Sequence, residues 1–300
     1  VQILTAEEIG QRLSGVKRGV VPSDCSHVTA FVDIGERLLN YVVCAWTADF
    51  RGYVIDYGTE PDQGRRFYGY RDCPKPLASV YKGGPDAVIL AGLEALTDRL
   101  LSTDWPDEKN GPPKQVSLLL FDNGYGPFTE TGYRFALRSP HRARLKPSKG
   151  VATRVSRGEF RRTDAIRRGP GWAEAVPQGR KDRLLEFDAN LWKTTTHARL
   201  STEKGDAGSL TLFDAKPHEH ELFAQHLTAE KPTRVTANGR TADEWNLRPG
   251  RENHWLDCLV GNAVAASVLG CVLPGQAQAP SAGKKRIKLS EVQAARRGRR

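Results

Sequence analysis

The chain has 300 residues, 39% of them hydrophobic and 27% charged, with 45 Lys and Arg against 35 Asp and Glu for a formal net charge of +10. That size suits one large domain or a domain with extensions. No run approaches the ~18 apolar residues of a membrane span, and no charged-then-apolar start marks a signal peptide, so secretion and membrane spanning are poor readings.

The chain begins at Val1 and contains no Met, which predicts a fragment or processed product with a partner domain upstream. A helical stretch over 6–13 follows Thr5 and leads into a basic, Gly-containing turn, so 1–26 reads as an arm or linker. Residues 28–34 form an apolar run carrying Asp33, a buried-strand pattern. Gly35-Glu36-Arg37 makes a turn, and β-rich runs over 38–46 and 52–57 complete an antiparallel meander. Residues 86–101 show apolar side chains at helical spacing, with Pro85 at the tolerated first position. The continuous apolar run 116–121, ended by Asp122-Asn123-Gly124, suits a central strand covered on both faces.

Beyond it the pattern predicts a helix near 129–136, a short strand near 143–146, strands over 184–187 and 209–213, and a helix over 218–229. An apolar helix over 255–271 is stopped by Pro274-Gly275. The five cysteines, Cys25, Cys44, Cys73, Cys258 and Cys271, form no C-x-x-C pair. They are expected to be reduced, buried thiols rather than a disulfide framework or a zinc site.

Charge is concentrated in two places. Residues 142–183 carry a net +9 and residues 284–300 a net +7, which leaves the remainder at −6. A mildly acidic body with two basic segments points to a polyanionic partner. The first is read as a basic insertion within a domain spanning 27–273, and 274–300 as a disordered basic tail.

Three aspartates stand out against this layout. Asp33 sits inside an apolar strand, where a carboxylate is costly unless paired or metal-bound. Asp122 ends the central strand, and Asp257 lies in the first turn of the last helix. Each alone has a plainer reading as a turn former or helix-start acid. The order β-β-β-α-β-α with acids at these three places is that of an α/β, ribonuclease-H-like fold with a central mixed sheet flanked by helices. There the first and fourth strands are neighbours, and three carboxylates suit hard divalent cations. His254 precedes Asp257 by three positions, which puts both on one helical face.

The runs 27–34 (HVTAFVDI), 53–59 (YVIDYGT), 119–124 (LLFDNG) and above all 252–258 (ENHWLDC) resemble the nuclease portion of lambda-like phage terminase large subunits, over roughly 4–273. The resemblance implies a viral DNA-packaging endonuclease acting on concatemeric double-stranded DNA in the host cytoplasm. It further implies Asp33, Asp122 and Asp257 as ligands of two Mg²⁺ or Mn²⁺ ions, with His254 assisting. Its implied partners are an ATPase domain upstream in the full chain, a small terminase subunit and a portal protein. Many terminases carry Glu where Asp122 stands, and this chain lacks the G-x-x-x-x-G-K-[ST] phosphate loop of the motor.

Arg154, Arg157, Arg161, Arg162, Arg167 and Arg168 are expected to hold the duplex through its phosphates, with little sequence reading. Lys193 is a candidate for the scissile phosphate, against the plainer reading of a solvent-exposed lysine. Asp188 is an auxiliary acid or a cap. Asp56 is structural, and His218, His220 and His226 lie on a solvated helix face. Two other functions remain open: another ribonuclease-H-like nuclease of the junction-resolvase or transposase type, and a non-catalytic DNA-binding assembly module.

Overall fold

The computed structural model describes residues 2–275 except 125 and 181; the basic tail over 284–300 lies outside the described residues. In chain order the elements are α1 (Ala6–Gly10), β1 (Leu13–Lys17), β2 (His27–Ile34), β3 (Leu39–Trp46), β4 (Gly52–Glu60), α2 (Leu77–Val80) and α3 (Pro85–Ser102). Next come β5 (Val116–Asp122), α4 (Thr129–Arg138), β6 (Leu145–Val151), β7 (Arg167–Gly169), β8 (Trp172–Ala175), β9 (Leu184–Asp188) and α5 (Ala189–Ser201). The chain closes with β10 (Leu210–Asp214), α6 (Glu221–Leu227), β11 (Glu230–Ala237), β12 (Arg240–Leu247) and α7 (His254–Leu269).

Ten strands form one mixed sheet in the order β1-β10-β4-β3-β2-β5-β6-β9-β8-β7. The meander β2-β3-β4 is antiparallel, whereas β2-β5-β6-β9 run parallel. Side chains alternate faces along a strand. Phe31, Val42, Cys44, Leu118 and Leu120 enter one core, shared with Leu256, Leu259 and Val260 of α7. Ala30, Val32, Val43, Leu119 and Phe121 enter the other, against Leu93, Leu96 and Leu100 of α3. Both faces are therefore covered, which is why these strands read as unbroken apolar runs. This is the α/β, ribonuclease-H-like arrangement expected, and no helix among the described residues is long and apolar enough to cross a membrane.

The same alternation sets the site. Asp33 shares the parity of Phe31, and Asp122 that of Leu118 and Leu120, so both carboxylates are on the α7 face. Val32 pairs with Phe121, which brings the next residues of the two parallel strands, Asp33 and Asp122, side by side. Helix α7 is fixed on this face by a polar plug in the core. Trp46 Nε1 donates to Thr29 Oγ1 (2.8 Å), Thr29 to Asn262 Oδ1 (2.7 Å), and Asn262 Nδ2 to the carbonyls of Val42 and Cys258 (3.0 and 2.9 Å). At Gly261 the helix lies so near β2 that a Cβ would stand 1.9 Å from the Phe31 ring.

The structure departs from the sequence pattern in several places. The first helix ends at Gly10, closed at its start by a Thr5–Glu8 capping box, and the next residues form β1, parallel to β10. Local pattern favoured more helix, but an open sheet edge captured the segment. Helix α5 and the β11-β12 hairpin were not foreseen. The first has few apolar positions and three consecutive threonines, and the second is largely polar, so neither carries strong periodicity. The 218–229 helix is a 3₁₀ turn, Pro217–His220, followed by α6. Of its histidines only His218 is exposed; His220 and His226 are buried, not on a solvated face. His220 Nε2 meets the Phe213 carbonyl at 3.0 Å.

Within 142–183, β6 lies in the sheet and β7-β8 extend it beyond β9. All five cysteines are free and buried, as expected.

Candidate active site

Asp33 from β2, Asp122 from β5 and Asp257 from α7 meet at the end of the central strands. Asp33 Oδ2 accepts a 2.7 Å hydrogen bond from His254 Nδ1. Asp122 Oδ1 accepts from the backbone of Gly124 at 2.9 Å, closing the turn that ends β5. Asp257 is held from two sides, by Lys193 Nζ at 3.1 Å from Oδ1 and by Asn253 Nδ2 at 2.9 Å from Oδ2. Both donors also reach Glu230 Oε1 at the start of β11. A cleft of about 290 Å³ opens between Asp122, Asp257, Lys193, Lys149 and the Gly124 turn.

Burial and mutual repulsion both act on the acids. Burial, and then the neighbouring Asp33 charge, push the Asp122 carboxyl up to about 7, against the pull of the Gly124 amide. Burial also raises Asp257, to about 6; Lys193 opposes the rise, while Asp33 and Glu230 add to it. His254 is raised as well: burial favours its neutral form, but the bond to Asp33 and that carboxylate's charge outweigh it. Burial is the main cause of both raised carboxyls, and the charges of neighbouring acids add to it.

The donor chemistry, carboxylate oxygens in a partly buried cleft, fits a hard divalent cation such as Mg²⁺ or Mn²⁺. Among the described residues, however, no three His, Cys, Asp or Glu groups stand together in an arrangement that could hold one ion as they are. Instead Lys193 and His254 sit against the carboxylates of Asp257 and Asp33.

Lys193 is neither a surface lysine nor free for a phosphate. It belongs to α5, its side chain is 12% exposed, and it is engaged by two carboxylates. Asp188 is the N-cap of α5, accepting from Leu191 N at 3.1 Å. Asp56 pairs with Arg18 at 2.6 Å and accepts from Tyr41 Oη at 3.2 Å, a structural role.

The six arginines over 154–168 do not join the acid cluster. Arg154, Arg157 and Arg168 are exposed. Arg161 pairs with Glu159, Arg162 with Asp164 and Glu186, and Arg167 donates to the Val268 carbonyl. Arg161, Arg162 and Arg168 line a separate cavity of about 380 Å³ beside Trp172. Glu230 and Asn253 were missed from sequence. Asn253 lies inside the run 252–258 and could have been weighed with His254, whereas Glu230 had no signal before its hairpin was known.

The family model for the terminase large subunit gpA endonuclease domain matches residues 2–277. No curated protein and no solved structure matches the chain.

Proposed function

This chain belongs to the terminase large subunit gpA endonuclease family, and we propose that it is a divalent-cation-dependent enzyme that cuts concatemeric double-stranded DNA during viral genome packaging. The observation that carries this reading is the convergence of Asp33, Asp122 and Asp257 from three elements far apart in sequence, with two of their carboxyls held above the ordinary range.

Asp33, Asp122 and Asp257 would hold two Mg²⁺ or Mn²⁺ ions, which when bound supply an activated water and neutralise phosphate charge. Asp33 keeps the His254 ring turned toward the cluster, where the imidazole can hold a proton or position a water. Lys193 and Asn253 fix the rotamer of Asp257. Lys149, exposed beside Asp122, and the exposed Arg154, Arg157 and Arg168 are suited to phosphates. An ATPase domain, a small terminase subunit and a portal protein are the partners the family implies.

Plasmid cleavage with Mn²⁺, with Mg²⁺ and with EDTA, comparing wild type with Asp33→Ala and Asp257→Ala, tests the reading. Metal-dependent cutting lost in both variants supports it. Cutting that survives both substitutions overturns the assignment of the acids. One feature favours a second reading, a DNA-binding module without catalysis: the Lys193 ammonium already answers part of the Asp257 charge. Folded wild type that binds DNA but does not cut it with either cation would support that reading.

A further inference from the structure

The segment between β4 and α2 contains Arg65-Arg66-Phe67-Tyr68-Gly69-Tyr70-Arg71, three cations flanking three aromatic rings. It is a loop with a closed neck. Gln63 Nε2 donates to the Lys75 carbonyl at 2.8 Å, and Lys75 N donates back to Gln63 Oε1 at 2.9 Å. One side is anchored against the start of α7 and the turn after β2. Tyr70 N donates to Glu252 Oε1 at 2.8 Å, and Arg37 reaches both the Tyr70 hydroxyl and its carbonyl. The Tyr70 ring lies 5.1 Å from that of His254, and Tyr68 packs edge-on against Trp255.

Because the tyrosines face inward, Arg65, Arg66, Phe67 and Arg71 are left outside, and all four are exposed. Phe67 is 42% exposed, the one exposed phenylalanine or tryptophan among the described residues. Arg66 stacks on it, its guanidinium 4.6 Å from the ring centre. Among the described residues no carboxylate pairs with Arg65, Arg66 or Arg71, in contrast to Arg161 and Arg162, which have acidic partners. An unpaired cation cluster around an exposed ring, on a loop that touches His254, has the chemistry of a strand-binding platform. Cations take phosphates, and the ring offers a face to a base.

We propose that the 63–75 loop holds one DNA strand beside the acid cluster, stacking an unpaired base on Phe67 and gripping flanking phosphates with Arg65, Arg66 and Arg71. This deepens the endonuclease reading and rests on it. Inside a duplex the base faces are already stacked on each other, so the Phe67 contact distinguishes an opened or single strand from paired DNA.

Binding in EDTA, which separates recognition from cleavage, is the test. Fluorescence anisotropy would compare a labelled single-stranded oligonucleotide with its duplex for wild type, Phe67→Ala, Phe67→Tyr and Arg65→Ala/Arg66→Ala. Phe67→Ala should weaken single-strand binding by about tenfold, with duplex binding within about twofold and Phe67→Tyr restoring the loss. The double arginine variant should weaken both and lower the salt slope by about 1 to 2. Equal thermal melts of all four proteins establish that the surface changes leave the fold intact. Single-strand binding unchanged in Phe67→Ala, or lost equally for duplex, overturns the stacking role. A loop that affects neither nucleic acid but captures a protein would also overturn it. If wild type binds no nucleic acid at all, the endonuclease reading fails with it; if wild type binds and the variants match it, only the loop assignment falls.

Discussion

Lys193 Nζ stands 3.1 Å from Asp257 Oδ1 and also contacts Glu230 Oε1, joining α5, α7 and the start of the β11-β12 hairpin through one ammonium group. Two acids share that cation, and Asn253 Nδ2 bridges the same two carboxylates. Three elements distant in the chain are thereby fixed relative to the acid cluster.

Removing that cation should be costly. Lys193→Met leaves Glu230, whose side chain is 4% exposed, beside an unneutralised Asp257. Breaking a buried pair in this way costs about 3–5 kcal/mol. Lys193→Met/Glu230→Leu, which removes both partners, should recover much of the loss. Chemical denaturation of the two variants checks this; equal destabilisation in both would mean that the pair does not hold the elements together.

The acids should behave as a functional site that opposes stability. Asp122 is ionised with difficulty because its folded pKa of about 7 exceeds the ordinary 3.8. A raised acid destabilises the fold as pH rises from its unfolded to its folded pKa. Asp122→Asn is therefore expected to raise Tm at pH 8 while abolishing cleavage. Mn²⁺ should raise the Tm of wild type but not of Asp122→Asn or Asp257→Asn, by preferential binding to the folded site. A cation-induced shift that persists in both variants would place the ion elsewhere.

The pH dependence follows with a definite sign. Protons on Asp122 and Asp257, which titrate near 7 and 6, must leave before these carboxylates can serve as ligands. Cleavage at subsaturating Mn²⁺ should rise from about pH 6 to about pH 8 and then flatten. A rate that falls over this interval would contradict it. Raising the Mn²⁺ concentration should move the rise to lower pH, because cation and proton compete for the same oxygens.

Gly261 tests the seating of α7. A methyl group there would meet the Phe31 ring, so Gly261→Ala should destabilise by about 1–3 kcal/mol through overpacking and reduce cleavage by shifting Asp257 from Asp33. Pairing it with Phe31→Leu should restore part of both. Thermal melts and cleavage rates on the two proteins measure this, and a fully active, fully stable Gly261→Ala would show that the helix is not tightly seated.

Short-range pattern encodes the doubly apolar runs of β2, β3 and β5, the long helices α3 and α7, and the isolated Asp33 within an apolar strand. Periodicity is a local property, and these segments bury so much apolar surface that no tertiary contact competes with their pattern. The tertiary structure decided the rest. Strand β1 took its conformation from the edge of β10, and α5 and the hairpin took theirs from packing that their polar sequences do not advertise. The parity of Asp33 and Asp122 made a shared site possible. Only the closed fold could supply Lys193 and Glu230 to Asp257, because an ion pair needs two groups a few ångströms apart and sequence separation carries no such distance.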